Sequence, residues 1–409
     1  MNNVGVVRVV KSFVAVFVIV VLLLQVFLVS ATVGLTEDSW VIKKSMPTGR
    51  MGCGSVAASN GMIYVIGGYA AGLSGGKDNE MYNPTTDTWT TKSSMPTPRG
   101  SFGIVAYQGK IYCIGGDGGS FEDGMVTGVN EVYDVETDRW ETKTSMPTGR
   151  GYLCANLVNG KIYLIGGSKP VNWLDLTPIS NVNEVYDIAS DTWSSKTPPP
   201  VAVGSCISAV VDNKIYVISQ VSQNSMLTLI YDTEADLWSY GAPCPFPMFS
   251  AGIGVTTGVR APVRLYVIGG NPTFDRVQVY DPKVDAWTWS ALMPTGRYAL
   301  SVAVSDDVLY AFGGSGAAAN NEAYFPLGYK AADLPSSSPV NSPPHTDSAD
   351  SEQNRDLPSN LPSNSPSMPE PNSWQMSNIL VTLTVVAILT AGATIGIALV
   401  LKTKTKRKT

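Results

Sequence analysis

Lys161–Gly167 reads KIYLIGG, and close copies of this stretch recur along the chain. The copies share an alternation of β-branched and aromatic residues, and most end in two glycines: MIYVIGG from Met62, KIYCIGG from Lys110, KIYVISQ from Lys214, RLYVIGG from Arg264 and VLYAFGG from Val308. The alternation predicts a strand, and the glycines predict the turn that ends it. The chain is therefore predicted to be built from repeats.

A tyrosine and then a tryptophan follow most copies at a nearly constant distance, as in NEVYDVETDRW. These tryptophans are Trp89, Trp140, Trp193, Trp238 and Trp287. The polar residues between tyrosine and tryptophan suit a turn between two strands. Met-Pro-Thr-Gly, which follows several of the tryptophans, suits a further turn with proline at its second position. Four short strands in a unit of roughly 50 residues are typical of a β-propeller blade.

The two ends of the repeat region complete each other. The sixth unit ends in NNEAYFPLGY and has no tryptophan, whereas Trp40 stands near the N-terminus with no strands before it. We therefore predict an all-β, six-bladed propeller over residues 35–329, closed by the N-terminal strand that contains Trp40. Closure of this kind leaves no open blade edge.

Apolar segments lie on both sides of the predicted propeller. Residues 377–401 are apolar and uncharged over the ~20 residues that a spanning helix needs, and the basic tail 402–409 is expected to stay in the cytoplasm. The propeller is then expected on the extracytoplasmic side of the cell membrane. Residues 1–34 are expected to form either a signal peptide, with Val29 and Ala31 at the cleavage site, or an uncleaved anchor helix. The Pro- and Ser-rich residues 330–374 are predicted to form a disordered stalk.

Charge and cysteine usage exclude several classes of function. All 33 acidic residues and 28 − 7 = 21 basic residues lie between Gly34 and Gln375, so this part has a net charge of 21 − 33 = −12. Such a charge argues against nucleic acid as a partner. The five cysteines form no C-x-x-C pair, which argues against a zinc site. No metal and no other cofactor is predicted. A Cys154–Cys206 bridge between neighbouring repeats stays open.

The double glycine, the tyrosine strand, the tryptophan after it and the arginine that opens the next unit together resemble the kelch family. The resemblance covers roughly residues 36–327 and implies a propeller of six or seven blades. The fourth unit departs from the pattern, with Ser219-Gln220 in place of the glycines and Val203 in place of the arginine. The fifth unit has Met248 or Phe249 near the arginine position.

Some members of this superfamily are enzymes. Resemblance to galactose oxidase would imply two histidine ligands for copper, but the single histidine, His345, lies in the predicted stalk. A histidine-ligated metal, a Ser-His-Asp triad and a Cys-His pair are excluded for the same reason. Sialate mutarotase is a closer precedent, because its chemistry needs carboxylates and arginines and no metal. Glutamates do recur before the tyrosine strands, but their regular recurrence favours a structural role: Glu80, Glu131, Glu184 and Glu322.

A binding surface is predicted on the loops that follow the glycines in blades one to three, because these loops are the long ones. Its predicted contacts are Tyr69, Phe121 and Trp173, with the repeated arginines at its floor: Arg50, Arg99, Arg150 and Arg297. Trp173 could instead pack on its own loop. The arginines could instead pair with carboxylates or carbonyls of a neighbouring blade. An acidic loop with Asp117, Glu122 and Asp123 suggests Ca²⁺, although its spacing fits no EF-hand.

These patterns favour a membrane-anchored, extracytoplasmic module without enzymatic activity, which binds a protein or glycan partner. Two alternatives stay open: a carbohydrate-active enzyme resembling sialate mutarotase, and a structural cell-surface or adhesion protein. A deep polar pocket with convergent carboxylates and arginines would favour the enzyme. A shallow loop face rich in aromatic residues would favour the binding module.

Overall fold

The computed structural model describes residues 36–70, 75–118, 126–169, 180–222, 225–316 and 318–331. Within these ranges every regular element is a β-strand, and the strands form six antiparallel sheets of four strands each. The predicted six-bladed propeller is therefore confirmed. The described residues contain no helix that is long and apolar enough to span a bilayer. The helices expected within 1–34 and 377–401, the stalk beyond Ala331 and the basic tail lie outside the described residues.

The strands fall into blades in chain order, and the first strand belongs to the last blade. The N-terminal strand is β1 (Ser39–Ile42). Blade 1 contains β2 (Gly54–Ala57), β3 (Ile63–Ile66), β4 (Asn79–Asn83) and β5 (Thr88–Lys92). Blade 2 contains β6 (Gly103–Tyr107), β7 (Lys110–Ile114), β8 (Asn130–Asp134) and β9 (Arg139–Lys143). Blade 3 contains β10 (Cys154–Val158), β11 (Lys161–Ile165), β12 (Asn183–Asp187) and β13 (Thr192–Ser195).

The remaining three blades repeat this order. Blade 4 contains β14 (Ile207–Val211), β15 (Lys214–Ser222), β16 (Ser225–Asp232) and β17 (Leu237–Gly241). Blade 5 contains β18 (Gly252–Val255), β19 (Leu265–Ile268), β20 (Val277–Asp281) and β21 (Ala286–Trp289). Blade 6 contains β22 (Ser301–Ser305), β23 (Val308–Phe312) and β24 (Asn321–Phe325), and β1 is its outer strand.

The N-terminal strand closes the ring as predicted. β1 pairs antiparallel with β24, and Trp40 lies opposite Tyr324 in the register. The two rings lie 5.1 Å apart, as do the corresponding tyrosine and tryptophan of blade 3, Tyr186 and Trp193. Blade 6 is therefore assembled from both ends of the repeat region, and its third strand has no exposed edge.

A recurring contact joins each blade to the one before it. In blade 3, the Asp191 carboxylate accepts hydrogen bonds from the Tyr186 hydroxyl at 2.6 Å and from the Thr144 N–H of blade 2 at 2.9 Å. The Trp193 indole N–H donates to the Thr144 carbonyl at 2.9 Å. We call this set the Tyr-Asp-Trp link. It occurs at all six junctions, and Asp38 and Trp40 supply it at the closing one.

The double glycine fits against the turn that opens the next blade. We call this turn the SMPTGR-type turn, after its sequence at Ser45–Arg50 and Ser145–Arg150. Gly67 and Gly68 have φ values of 62° and 94°, a region that side chains disfavour. The Gly68 N–H donates to the Arg99 carbonyl at 3.0 Å, and a Cβ on Gly67 would lie only 2.5 Å from that oxygen. Met95, from the same turn as Arg99, is buried beneath these glycines. Glycine is therefore required where the next blade packs against the end of the strand.

Blade 4 shows what happens without the glycines. Its second and third strands continue as a hairpin in which Ser219 pairs with Leu227 and Gln220 with Met226. This extended hairpin takes the place of the loop found in the other blades. The departure at Ser219-Gln220 therefore changes the local topology and leaves the blade intact, because all four strands of blade 4 remain paired.

Candidate functional site

One face of the propeller carries both the SMPTGR-type turns and the loops between the second and third strands. The two are hydrogen-bonded to each other, for example through the Arg99 N–H and the Gly76 carbonyl at 3.0 Å. We call this the turn face. The parity of a four-stranded blade places these two connections on the same side, as the sequence predicted.

The four repeated arginines lie inside the blades. Each guanidinium is at most 1% exposed and contacts a buried glutamate of the blade that it opens, at 2.5 to 2.6 Å: Arg50 with Glu80, Arg99 with Glu131, Arg150 with Glu184 and Arg297 with Glu322. Each also donates to a main-chain carbonyl of the second strand, as Arg99 does to Cys113 at 2.8 Å. A partner on the turn face would touch none of these guanidinium groups. The arginines pair within the blade that they open, whereas the sequence hypothesis considered a neighbouring blade.

The arginine and the glutamate are present or absent together. Blade 4 has Val203 and Leu229 at the two positions, and both are buried in one apolar cluster. Blade 5 has Met248 and Gln278. A buried ion that loses its partner is costly, so the pair is replaced as a unit. This co-occurrence was visible in the sequence and would have identified the arginine's partner.

Burial also affects the pKa of two of the buried arginines. Burial lowers the pKa of Arg150 and Arg297, and the hydrogen bonds to Glu184 and Glu322 oppose this effect. In blades 2, 3 and 6 the threonine two residues before the arginine donates to the same carboxylate, as Thr148 does to Glu184 at 2.8 Å. Both oxygens of these three glutamates are thus hydrogen-bonded, and Glu80 of blade 1 is buried and paired with Arg50.

The structure describes only some of the other residues that were predicted as contacts. Tyr69 is 3% exposed, and its ring lies against the backbone of Gly52 and Gly100. Phe121 and Trp173 lie outside the described residues, so their contacts stay predictions. Of the acidic loop, Asp117 is buried, and Glu122 and Asp123 also lie outside. The described residues contain no cluster of three or more histidine, cysteine, aspartate or glutamate side chains suited to a metal.

A channel runs between the six inner strands and has a cavity volume of about 520 Å³. Aliphatic side chains from every blade line most of it: Val56, Ile104, Leu157, Val210, Ile253 and Val302. Two carboxylates stand at its far mouth. Asp307 accepts N–H bonds from Thr257, Arg260 and Ala261, and Asp306 pairs with the Arg260 side chain at 2.6 Å. Both carboxylates therefore hold a loop of blade 5.

A collar of six residues narrows the channel at the turn face. One residue from each blade contributes, and all have φ between 46° and 60°: Gly52, Ser101, Tyr152, Ser205, Ser250 and Ala299. Four N–H groups donate to the carbonyl of the preceding collar residue, at 2.7 to 2.9 Å. Among these six residues the ring of hydrogen bonds is open on both sides of Ser205. The described channel thus offers no convergent arginines and free carboxylates of the kind that a mutarotase would need.

The cysteines do not supply a nucleophile. All five are buried free thiols, including Cys154 and Cys206, for which a bridge was left open. Burial raises the pKa of Cys113 and of Cys244 to about 12, and it raises that of Cys154 as well. Thiolates of this kind are scarce near neutral pH.

A cluster of exposed aromatic residues lies on the turn face between blades 4 and 5. The rings of Phe246 and Trp289 meet edge to face at 5.1 Å, and the Arg276 guanidinium lies 4.4 Å from the Phe246 ring centre and 5.2 Å from that of Trp289. Phe274, four residues into the same loop as Arg276, has its ring 5.9 Å from that of Tyr298. Sequence reasoning missed this cluster, although Trp289 is an additional tryptophan outside the repeat pattern.

Comparisons with known proteins agree with this architecture. The kelch motif matches residues 50–96, 98–147 and 149–200, which cover blades 1 to 3. The chain is 30% identical over 193 residues to the human Kelch repeat and BTB domain-containing protein 12, covering 43% of this chain and 31% of that protein. It is 25% identical over 285 residues to Kelch-like protein 36 of Bos taurus, covering 66% of this chain and 44% of that protein. The chain thus spans less than half the length of these relatives.

A solved structure reported as "Structure of YjhT" superimposes with a TM-score of 0.55 at 15% sequence identity, over 69% of this chain and 95% of the other. At this identity the likeness concerns the fold alone. The arginine, the double glycine, the tyrosine and the tryptophan now have defined places in the blades. The kelch motifs and the kelch-repeat relatives thus support a kelch-repeat β-propeller family for this chain.

Proposed function

We propose that this chain is an interaction module that binds a protein partner through the turn face of its propeller. In this proposal the propeller stands outside the cell, between a cleaved or anchoring segment at 1–34 and a spanning helix at 377–401. The stalk 330–374 separates it from the bilayer. Kelch propellers are typical of protein-interaction modules, and this supports the general class of function.

The observation that carries the proposal is the aromatic cluster of Phe246, Arg276 and Trp289. Exposed tryptophan, phenylalanine and arginine side chains are enriched at the energetic centres of protein interfaces. Trp289 is 49% exposed and Phe246 38% exposed. A partner that covers rings of this size removes a large apolar area from water, and this favours binding.

We also propose that the chain has no enzymatic activity. Its support is the chemistry of the described residues: the glutamates are paired within the blades, and most of the channel wall is aliphatic. A sugar-converting site would need polar groups that converge on open space. The relatives are also kelch-repeat proteins, which fits a binding role.

A glycan partner is the second candidate, because the exposed rings of Phe274 and Trp289 would also suit stacking on a sugar ring. The contacts predicted for Phe121 and Trp173 in the long loops of blades 1 to 3 stay predictions under either candidate. A protein is preferred because a guanidinium is held beside the rings, as in protein interfaces.

Site-specific photo-crosslinking on cells tests which face binds. A photoreactive residue replaces Phe274 on the turn face or, as the matched control, Val259, which is 81% exposed in the loop between β18 and β19 of the same blade. We expect protein adducts from position 274 and not from 259. Adducts only from 259, or equal adducts from both, would refute binding through the turn face.

Labelling of intact cells tests the proposed orientation. A membrane-impermeant amine reagent should modify propeller lysines such as Lys110 and Lys161, whose side chains are 38% and 45% exposed. The lysines of the tail 402–409 should react only after permeabilisation. The opposite pattern of labelling would show that the propeller faces the cytoplasm.

A further inference from the structure

The cluster of Phe246, Arg276 and Trp289 differs from the same place in the other blades. Phe246 occupies the threonine position of the SMPTGR-type turn, where Thr97, Thr148 and Thr295 bond a glutamate. In blade 5 the position of that glutamate is occupied by Gln278. Its side-chain amide accepts a hydrogen bond from the Phe246 N–H at 3.0 Å and donates one to the Phe246 carbonyl at 3.2 Å. The turn is thus held by its main chain, and the Phe246 side chain is free to project outward.

Trp289 also departs from the residue type found at its position in other blades. It stands two residues after the repeat tryptophan, at the position of Thr91, Thr142 and Ser195 in blades 1 to 3. In blades 4 and 6 the corresponding residues are Tyr240 and Ile42, which are 59% and 76% exposed. The outer strands of blades 4 to 6 therefore carry an exposed apolar side chain where those of blades 1 to 3 carry a small polar one.

Arg276 is a cation without a carboxylate partner. Of the arginines in the described ranges, Arg276 and Arg139 have no carboxylate within 4.0 Å, and Arg139 is fully on the surface of an outer strand. Arg276 is half-buried, and its only side-chain contacts given by the structure are the rings of Phe246 and Trp289. Its guanidinium plane is therefore held in place while its N–H groups stay unbonded to protein.

The chemistry of this arrangement selects an anionic ligand group. A fixed guanidinium fork matches the two oxygens of a carboxylate, and stacking on rings reduces the freedom lost on binding. The rings also remove part of the surrounding water, which strengthens a charge-assisted hydrogen bond. Leu292, three residues after Trp289 in the chain, is also exposed.

We infer that this cluster is a recognition site for an acidic residue of an extended partner peptide, whose carboxylate pairs with Arg276 while an adjacent apolar side chain covers Trp289. The inference rests on the proposed protein-binding function and names the chemistry of the partner. The partner's negative charge complements the one unpaired, half-buried arginine in an otherwise acidic chain.

Selection from a display library of random linear peptides on the purified full-length chain tests the inference. We expect the enriched peptides to contain aspartate or glutamate next to a large apolar residue. Synthetic versions are then measured by fluorescence anisotropy against Arg276→Gln, Arg276→Lys and Trp289→Thr, the last of which installs the residue found in blades 1 and 2. Arg139→Gln is the matched control, and equal melting temperatures establish that all variants are folded.

Loss of the charge-assisted pair should weaken binding roughly tenfold or more in Arg276→Gln, with Arg276→Lys in between and Arg139→Gln unchanged. Replacing the peptide's acidic residue by its amide should have the same effect as Arg276→Gln and add nothing to it. Enriched peptides that are neutral, or that bind Arg276→Gln as tightly as the unaltered chain, would overturn this inference and leave the turn face as a binding surface. If no peptide is enriched over a blank support, both the inference and the proposed function are contradicted.

Discussion

The arginine of the SMPTGR-type turn joins two blades through different parts of the same residue. The Arg99 carbonyl accepts from Gly68 of blade 1, while its guanidinium bonds Glu131, Cys113 and Gly115 of blade 2. Main chain and side chain thus fix opposite sides of one junction. An arginine suits this task because its planar fork can bond a carboxylate and carbonyls at once.

Breaking one half of the pair should be costly. Arg99→Val or Glu131→Leu alone leaves a buried ion without its partner, and we expect each to lower the free energy of unfolding by about 3–5 kcal/mol. The double variant carries the residues that blade 4 has at Val203 and Leu229. It should therefore lose less than the sum of the two single changes, with a coupling of roughly 1–3 kcal/mol. Urea unfolding of the four chains gives the double-mutant cycle.

Corresponding substitutions at an exposed ion pair provide the control for that cycle. Lys161→Val and Asp187→Leu remove an ion pair whose members are 45% and 32% exposed, and exposed pairs contribute at most about 1 kcal/mol. A cycle at Arg99 and Glu131 that is additive would contradict the structural role given to the buried pair.

The sequence predicted where the arginines recur but not what they contact. Two interpretations, ligand and structural partner, were open because a repeat pattern gives position along the strand and not depth in the blade. Glu131 lies two residues before a repeat tyrosine, and its pairing with Arg99 depends on the fold bringing residues 32 positions apart together. The joint loss at Val203 and Leu229 was the sequence signal for that contact.

At the scale of the elements, the Tyr-Asp-Trp links should make the stability of the propeller dependent on pH. Burial acts to raise the pKa of Asp87, Asp138 and Asp236, but hydrogen bonds from the tyrosine and from the neighbouring blade outweigh it, so each pKa lies below its ordinary value. For Asp191 the Tyr186 hydroxyl is the leading cause of the lowered pKa, and for Asp285 the Ala242 N–H is.

The sign of the effect follows from linkage. Because these pKa values are lower in the folded chain than in the unfolded one, the stabilisation is complete above the unfolded value, about 3.9, and is lost as the pH falls through the folded value. Near neutral pH the contribution of these aspartates is complete, so any change of the melting temperature with pH there is expected to come from other groups. Below about pH 4 we expect the melting temperature to fall steeply. Thermal melts across pH 2 to 8 measure it.

A variant separates the links from general acid denaturation. Asp191→Asn removes one titrating group, so the slope of the free energy of unfolding against pH below about pH 4 should become shallower. Glu136→Gln, at an exposed carboxylate in the turn of blade 2, serves as the control. An identical slope in Asp191→Asn and in the unaltered chain would show that the link does not contribute.

The elements also show where sequence patterns lose their power. The strand pattern predicted every blade and the glycines marked five of the six, because period-two alternation and positive φ are local properties. The aromatic cluster was not predicted, because Phe246 and Trp289 lie 43 positions apart, one in the turn that opens blade 5 and the other in the outer strand of that blade. The predicted contacts were chosen by loop length, which indicated blades 1 to 3, whereas Phe246 lies in a turn between two blades and Trp289 lies at the end of β21.

At the scale of the whole molecule, the ring is held by six equivalent junctions, and one of them joins the two ends of the repeat region. Ala291 of blade 5 bonds Asp38 at 2.9 Å and Trp40 at 3.0 Å, in the same way as Thr144 bonds Asp191 and Trp193. Each blade therefore depends on its two neighbours. Loss of one junction converts a closed ring into an open one with two exposed ends.

Deleting residues 36–45 should therefore destabilise the entire propeller. The deletion removes β1, which leaves β24 as an exposed edge, and it removes the link of Asp38 and Trp40 to blade 5. We expect one cooperative transition at a markedly lower melting temperature, because no blade can keep its neighbours once the ring is open. Deletion of residues 350–359, an equal number within the predicted stalk, is the control. An unchanged melting temperature after the deletion of 36–45 would show that the N-terminal strand does not close the ring in solution.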